Sequence, residues 1–185
     1  SEMCIRDSFR HMGQESRATT VSEYPVSLTL DEAFHGSSRI MALGSDRRIE
    51  VKIPAGVDNS SKVHIPDGNR KTGGVNLLIT IQPHSVFTRK GRDLFRTIML
   101  PMDDALLGTE ITVETLVGKV ALIVPPETQN GRRFRIARHG MPELNNPNNR
   151  GDLFTTISVV LPTGITERER ELIRLFKESR LSREG

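Results

Sequence analysis

"LDEAFHGSSRI" at Leu30 to Ile40 and "MDDALLGTEIT" at Met102 to Thr112 lie 72 positions apart and follow one pattern: a hydrophobe, two acids, Ala, a hydrophobe and then Gly, ahead of a strand-like run. Each makes sense as a short helix. Asp31 or Asp103 is expected to accept the orphan backbone N–H groups at the start, and Gly36 or Gly108 to supply the left-handed conformation that stops the helix. Two such helices so spaced predict a duplicated unit of roughly 70 residues.

The correspondence continues downstream. "IEVKIPAGV" at Ile49 to Val57 answers to "VALIVPPET" at Val120 to Thr128, "KVHI" at Lys62 to Ile65 to "RFRI" at Arg133 to Ile136, and "NLLITI" at Asn76 to Ile81 to "DLFTTI" at Asp152 to Ile157. Four matches in one order predict two copies of one fold. Tyr24, Val26, Leu28 and Leu30 alternate with Pro25, Ser27 and Thr29, and Ile49, Val51 and Ile53 alternate with Glu50 and Lys52, the period of two that places one set of side chains on one sheet face. Val120, Leu122 and Val124 repeat it in the second copy. "GSD" at Gly44 to Asp46 and "VGK" at Val117 to Lys119 suit hairpin turns.

The fold expected is therefore mainly β: two tandem, similar β-sandwich-like domains, each with a short helix, plus a C-terminal amphipathic helix. The boundaries follow as a leader at 1–21 without helical or strand period, β-domain I at 22–90, β-domain II at 91–163 and the terminal helix at 164–185. The leader contains "HM" at His11, consistent with a cloning scar or a native linker. Thr166 and Glu169 have capping-box spacing, and Leu172, Leu175 and Phe176 recur at helical intervals among charged residues. That stripe either docks on its own domain or joins two subunits.

Composition sets bounds on function. The chain of 185 residues is 36% hydrophobic and 26% charged, with a net charge of +3, an ordinary composition for a globular protein. No apolar run approaches membrane-spanning length, so no membrane partner is expected. The single cysteine, Cys4, excludes an internal disulfide framework and a Cys-rich zinc site. His35, His64, His84 and His139 are scattered without metal-ligand spacing. Asp103 and Asp104 are explained by helix capping, and neither a nucleophile motif nor a phosphate loop is present. The chain is read as non-enzymatic, without metal or cofactor.

"IMAL" at Ile40 to Leu43 breaks the half-buried pattern, because it is apolar on both faces. Either both faces lie in a barrel-like core, or one is exposed beside a strand edge, where another chain can pair by β-augmentation.

"PHSVFTRKGRDL" at Pro83 to Leu94, with "LPMDDALLGTEITVETLVGKVALIVPPETQNGRRFRIARHGMP" and "RGDLFTTISVVLP", resembles the paired C-terminal client-binding domains of DnaJ-type co-chaperones. The resemblance extends over about Tyr24 to Glu178. Its most diagnostic piece is close to the family's Pro-His-x-x-Phe-x-Arg-x-Gly-x-Asp-Leu. Without Cys-x-x-Cys pairs the chain is similar to the zinc-free class, which includes the curved-DNA-binding co-chaperones. The His-Pro-Asp loop of a J domain does not occur, so the sequence looks like the client-binding portion of a longer protein.

The resemblance implies a co-chaperone that holds extended hydrophobic segments of unfolded client proteins and delivers them to a DnaK-type chaperone in the cytoplasm. It places the client groove at Tyr24, Val26, Met41 and Leu43, with Arg39 where a basic residue can meet an acidic peptide end, and it implies a homodimer formed through Leu172, Leu175 and Phe176. The alternative is a DNA-binding module. "GRRFRIARHG" at Gly131 to Gly140 puts Arg133 and Arg135 on one strand face, with Arg132 and Arg138 nearby, a stripe able to neutralise phosphates.

Overall fold

The repeat in sequence is a repeat in topology. The computed structural model describes residues 22–43, 47–65 and 74–183, so the leader at 1–21 and the turn at Gly44 to Asp46 lie outside the described residues. The first copy runs β1 (Ser22–Leu28), α1 (Leu30–His35), β2 (Ser37–Leu43), β3 (Arg47–Ile53), β4 (Lys62–Ile65) and β5 (Val75–Ile81). After the short strand β6 (Thr88–Lys90), the second runs β7 (Asp93–Pro101), α2 (Met102–Leu107), β8 (Thr109–Glu114), β9 (Lys119–Val124), β10 (Arg133–Ile136), an inserted hairpin β11 (Pro142–Glu143) and β12 (Asn146–Arg150), and β13 (Leu153–Val160). Helix α3 (Glu167–Leu181) follows.

In each copy the first and last strands pair in parallel, β1 with β5 and β7 with β13. The penultimate strand adds antiparallel, β4 on β5 and β10 on β13. The two intervening strands form a separate two-stranded sheet, β2–β3 or β8–β9. The fold is mainly β in several small sheets, as the sequence predicts, and no sheet closes into a barrel.

The helices start differently from expectation. Thr29, not Asp31, caps α1: its hydroxyl accepts the Glu32 N–H at 3.2 Å while the Glu32 carboxylate accepts the Thr29 N–H at 2.9 Å. A threonine two residues earlier completes a reciprocal pair that Asp31 could not. Pro101 precedes α2 without a side-chain cap, and Asp103 and Asp104 occupy its first turn, where acids suit the positive end of the helix dipole. Gly36 and Gly108 do stop the helices at positive φ (77° and 82°), but with ψ of 158° and 148°. That extended region is essentially glycine's alone and differs from the left-handed helical conformation.

A single buried cluster includes Val26, Leu28, Phe34, Val51 and Leu77 of the first copy and continues through Phe87, Leu94, Val113, Met141 and Leu153. A smaller one, Leu100, Ala105, Val124 and Ile157, fills the far part of the second copy.

The Pro83 to Leu94 motif makes the seam between the copies. His84 Nδ1 accepts the N–H groups of Val86 (3.0 Å) and Phe87 (3.2 Å), which requires the proton on Nε2, 3.7 Å from Asp31 Oδ2. That turn drives Phe87 into the core. Arg89, with a side chain only 12% exposed, donates to Val57 O at 2.7 Å and Gly91 O at 2.8 Å and lies 3.6 Å from Asp58. Asp93 Oδ1 accepts the Asp152 N–H at 2.9 Å. The Arg92 carbonyl accepts the Met141 N–H at 2.7 Å, and a Cβ at Gly140 or Gly151 would overlap that carbonyl.

Arg89→Leu should lower unfolding stability by about 1–3 kcal/mol, because it leaves the carbonyl of buried Val57 without its donor and removes the more exposed contacts to Gly91 and Asp58. Arg89→Lys should recover only part, since an ammonium cannot reproduce the guanidinium fork. Urea denaturation measures both, and a loss below about 0.5 kcal/mol for Arg89→Leu would contradict this account of the seam.

Candidate functional site

Strand β2 is hydrogen-bonded to β3 alone, from Ser37↔Ile53 to Leu43↔Arg47, so its other edge has no strand partner among the described residues. Its faces differ. Ile40 is 73% exposed, which excludes the barrel-core reading of Ile40 to Leu43. Met41 points the opposite way and is half-buried against the first core, as is Tyr24 on β1. Val26 is fully within the core, and the side chain of Leu43 lies outside the described residues. Tyr24 and Met41 thus mark a partly open apolar margin of the first copy.

Arg39 shares the Met41 face of β2, but its guanidinium is already engaged: one nitrogen lies 2.8 and 2.9 Å from the two Glu32 carboxylate oxygens. Glu32 in turn closes the capping box with Thr29. The basic residue that sequence assigned to an acidic peptide end therefore also ties the strand edge to the start of α1.

The second copy offers an internal comparison. Seventy-two residues on, Arg96, Ile98 and Val113 replace Tyr24, Val26 and Met41. Val113 is fully buried. Arg96 stacks over Phe87 at 5.5 Å and donates from Nη1 to the Glu114 carbonyl of β8. Where the first copy leaves its margin open, the second bridges it with its own side chain. Sequence reasoning passed over this, and over Met99, Leu107 and Ile123, which like Ile40 are more than 70% exposed. For Ile123 the signal was legible: it sits at the outward parity of β9, between Leu122 and Val124.

Helix α3 has the predicted capping box between Thr166 and Glu169. None of its residues is buried, so it does not dock on its own second copy, and Leu172, Leu175 and Phe176 are about half exposed. The arginine stripe divides. Arg133 and Arg135 share the outer face of β10, Arg132 stacks over Phe134 at 5.3 Å, and Arg138 sits in the following turn with φ of 61°. Arg135 Nε is 2.6 Å from Asp152 Oδ2. Among the described residues, no helix is long and apolar enough to cross a membrane.

The chain belongs to the DnaJ C terminal domain family, whose model matches residues 22–162. It is 35% identical to the Chaperone protein DnaJ 2 of Thermus thermophilus over 95% of this chain and 62% of that protein. It is 39% identical to the Chaperone protein DnaJ 1 of Mycolicibacterium paratuberculosis over 78% of this chain and 39% of the relative, and 28% identical to the Curved DNA-binding protein of Coxiella burnetii over 94% and 58%. The chain thus spans between about two fifths and three fifths of these relatives, which are named as chaperones or a DNA-binding protein rather than for a catalysed reaction.

The Glu32 carboxyl is held below its ordinary value of 4.5, first by the Thr29 N–H and then by Arg39. Folding lowers this pKa, so its stabilisation is complete above the unfolded value and is lost as pH falls through the folded one. The melting temperature of Glu32→Gln should fall less steeply than that of the unmodified protein between about pH 5 and 3. Equal acid slopes in the two proteins would contradict the assignment.

Proposed function

We propose that this chain binds extended apolar segments of non-native polypeptides at the open margin of the first copy, the segment pairing with the free edge of β2 while its side chains rest on Tyr24, Met41 and Leu43. The observation that carries this reading is the contrast between copies: one topology, with the margin open at Tyr24 and Met41 but bridged by Arg96 in the second. Backbone pairing tolerates many sequences, and a methionine adapts to varied side chains. Both suit a protein that serves many clients. The names of the chaperone relatives support the same conclusion.

In the longer protein this region would hand clients to a DnaK-type chaperone in the cytoplasm. Two copies of the chain would associate through Leu172, Leu175 and Phe176 of α3. Such a dimer converts two weak grooves into one clamp, because the second contact becomes intramolecular, at an effective concentration that reaches roughly millimolar with short linkers.

Met41→Ser should weaken binding of an apolar extended peptide by about 1–2 kcal/mol while the melting temperature stays within a few degrees. Val113→Ser, at the buried equivalent, should destabilise the fold by about 2 kcal/mol or more. A peptide N-methylated at alternate residues should lose its affinity if the β2 edge supplies the hydrogen bonds. Calorimetric titration with unmodified binding for Met41→Ser, or with full affinity for the methylated peptide, would overturn the groove.

Leu175→Asp should convert a dimer into folded monomers in sedimentation, with affinity falling for long unfolded chains and not for short peptides. A monomer at all concentrations in the unmodified protein would remove the clamp and leave the groove untouched.

A further inference from the structure

The outer face of the second copy's main sheet carries a second candidate surface, independent of the client groove. The sheet order is β10–β13–β7–β6, and its two central strands place Phe154 directly opposite Phe95. The rings stack at 5.2 Å with 17° between their planes, and both are only half-buried. Lys90 Nζ from one edge strand and the Arg133 guanidinium from the other reach over the same ring, 5.3 and 5.7 Å from the Phe95 centroid. The next row adds the hydroxyls of Thr97 and Thr156, paired across β7 and β13. Lys90, Phe95, Thr97, Arg133 and Thr156 line an open groove of about 580 Å³ with no acid in its walls among the described residues, and Phe154 stacks at its side against Phe95. Among the described residues, neither Lys90 nor Arg133 has a carboxylate within 4.0 Å, whereas Arg135 beside them is committed to Asp152.

We propose that this groove binds a single-stranded nucleic acid, with Lys90 and Arg133 on consecutive phosphates and the Phe95–Phe154 pair against the bases. The combination of groups selects the occupant. An acidic peptide would use the cations but leaves the aromatic pair without a partner. A duplex keeps its bases stacked inside and presents only phosphates to a flat sheet face. An unpaired strand offers both: base faces that stack on aromatic rings whatever the sequence, and a charged backbone that follows a basic groove. Hydroxyls and exposed cations can hydrogen-bond phosphate oxygens, and the cation–ring contacts keep both charges beside the platform while it is empty.

Fluorescence anisotropy with a labelled single-stranded thymidine oligomer, a duplex and poly-glutamate tests the assignment on the unmodified chain. The oligomer should bind at about 50 mM salt, more tightly than the other two, with log K falling against log salt at a slope of about −1.4 for two phosphate contacts. Phe95→Leu with Phe154→Leu should weaken it about tenfold, the loss of one stacked base, with an unchanged melting temperature. Lys90→Gln with Arg133→Gln should bring the slope close to zero. Because both charged side chains are exposed, this pair decides the matter if the phenylalanine variant fails to fold. Absence of oligomer binding, equal or tighter binding of duplex or poly-glutamate, or a salt slope unaltered by the charge variant would overturn the proposal.

Discussion

The parallel pairing of first and last strands, β1 with β5 and β7 with β13, is the constraint from which the rest follows. Parallel neighbours cannot be joined by a tight turn, so the chain must leave the sheet and return by a crossover. Here the crossover consists of a six-residue helix, a hairpin and a return strand. The helix is too short to cover a sheet face, and the hairpin takes that task as a separate two-stranded sheet. Such a sheet has two outer edges, and in the first copy β2 keeps one without a strand partner among the described residues. The open edge is a consequence of the topology and needs no further device to create it.

Why the copies diverge is answered at their seam. The core of the first copy is continued by Phe87, Leu94, Val113, Met141 and Leu153, so the near part of the second copy's hairpin is committed to shared packing. Val113 has no freedom to stand at a margin. Its neighbour Arg96 spans to the β8 backbone over Phe87, while burial, opposed by Glu114, weakens its hold on its proton. The first copy bears no such load at Tyr24 and Met41. Duplication supplied two equivalent margins, and packing one copy against the other left one of them open.

Local rules recovered what depends on local geometry. The period of two located the strands, the glycines at 36 and 108 marked helix ends because a Cβ there would crowd Ile53 O or Pro126, and the Thr166–Glu169 spacing identified the α3 cap. The misassigned cap at Asp31 is a near miss of the same kind, since Asp31 lies only two residues past Thr29, the residue that caps the helix. Features that depend on distant partners were not legible. Nothing near Arg39 in the sequence singles out Glu32, seven residues away across a helix end, and nothing near Arg89 points to Val57 O. The Pro83 to Leu94 motif was recognisable by resemblance, yet the task of each residue in it became apparent only once the two copies were seen to meet there. The basic stripe read along one strand likewise did not reveal that Lys90 of another strand shares the Phe95 ring with Arg133, or that Arg135 is paired with Asp152.

Helix α3 presents the remaining physical imbalance. Its 15 residues carry a capping box and two surface ion pairs, Arg168–Glu171 at 3.2 Å and Arg170–Glu167 at 3.4 Å, with no buried side chain. Pairs of this kind contribute only a few tenths of a kcal/mol each and a cap about 1 kcal/mol, while an isolated helix of this length is marginal in water. The packing that stabilises most helices is not supplied by the described residues. Five apolar residues, Leu172, Ile173, Leu175, Phe176 and Leu181, stand exposed over the same span. Covering them would stabilise helix and interface together, so the proposed association would order α3 as well as join two chains. The helix and the dimer are then one equilibrium, and mutations in the stripe would act on helicity and on mass in proportion.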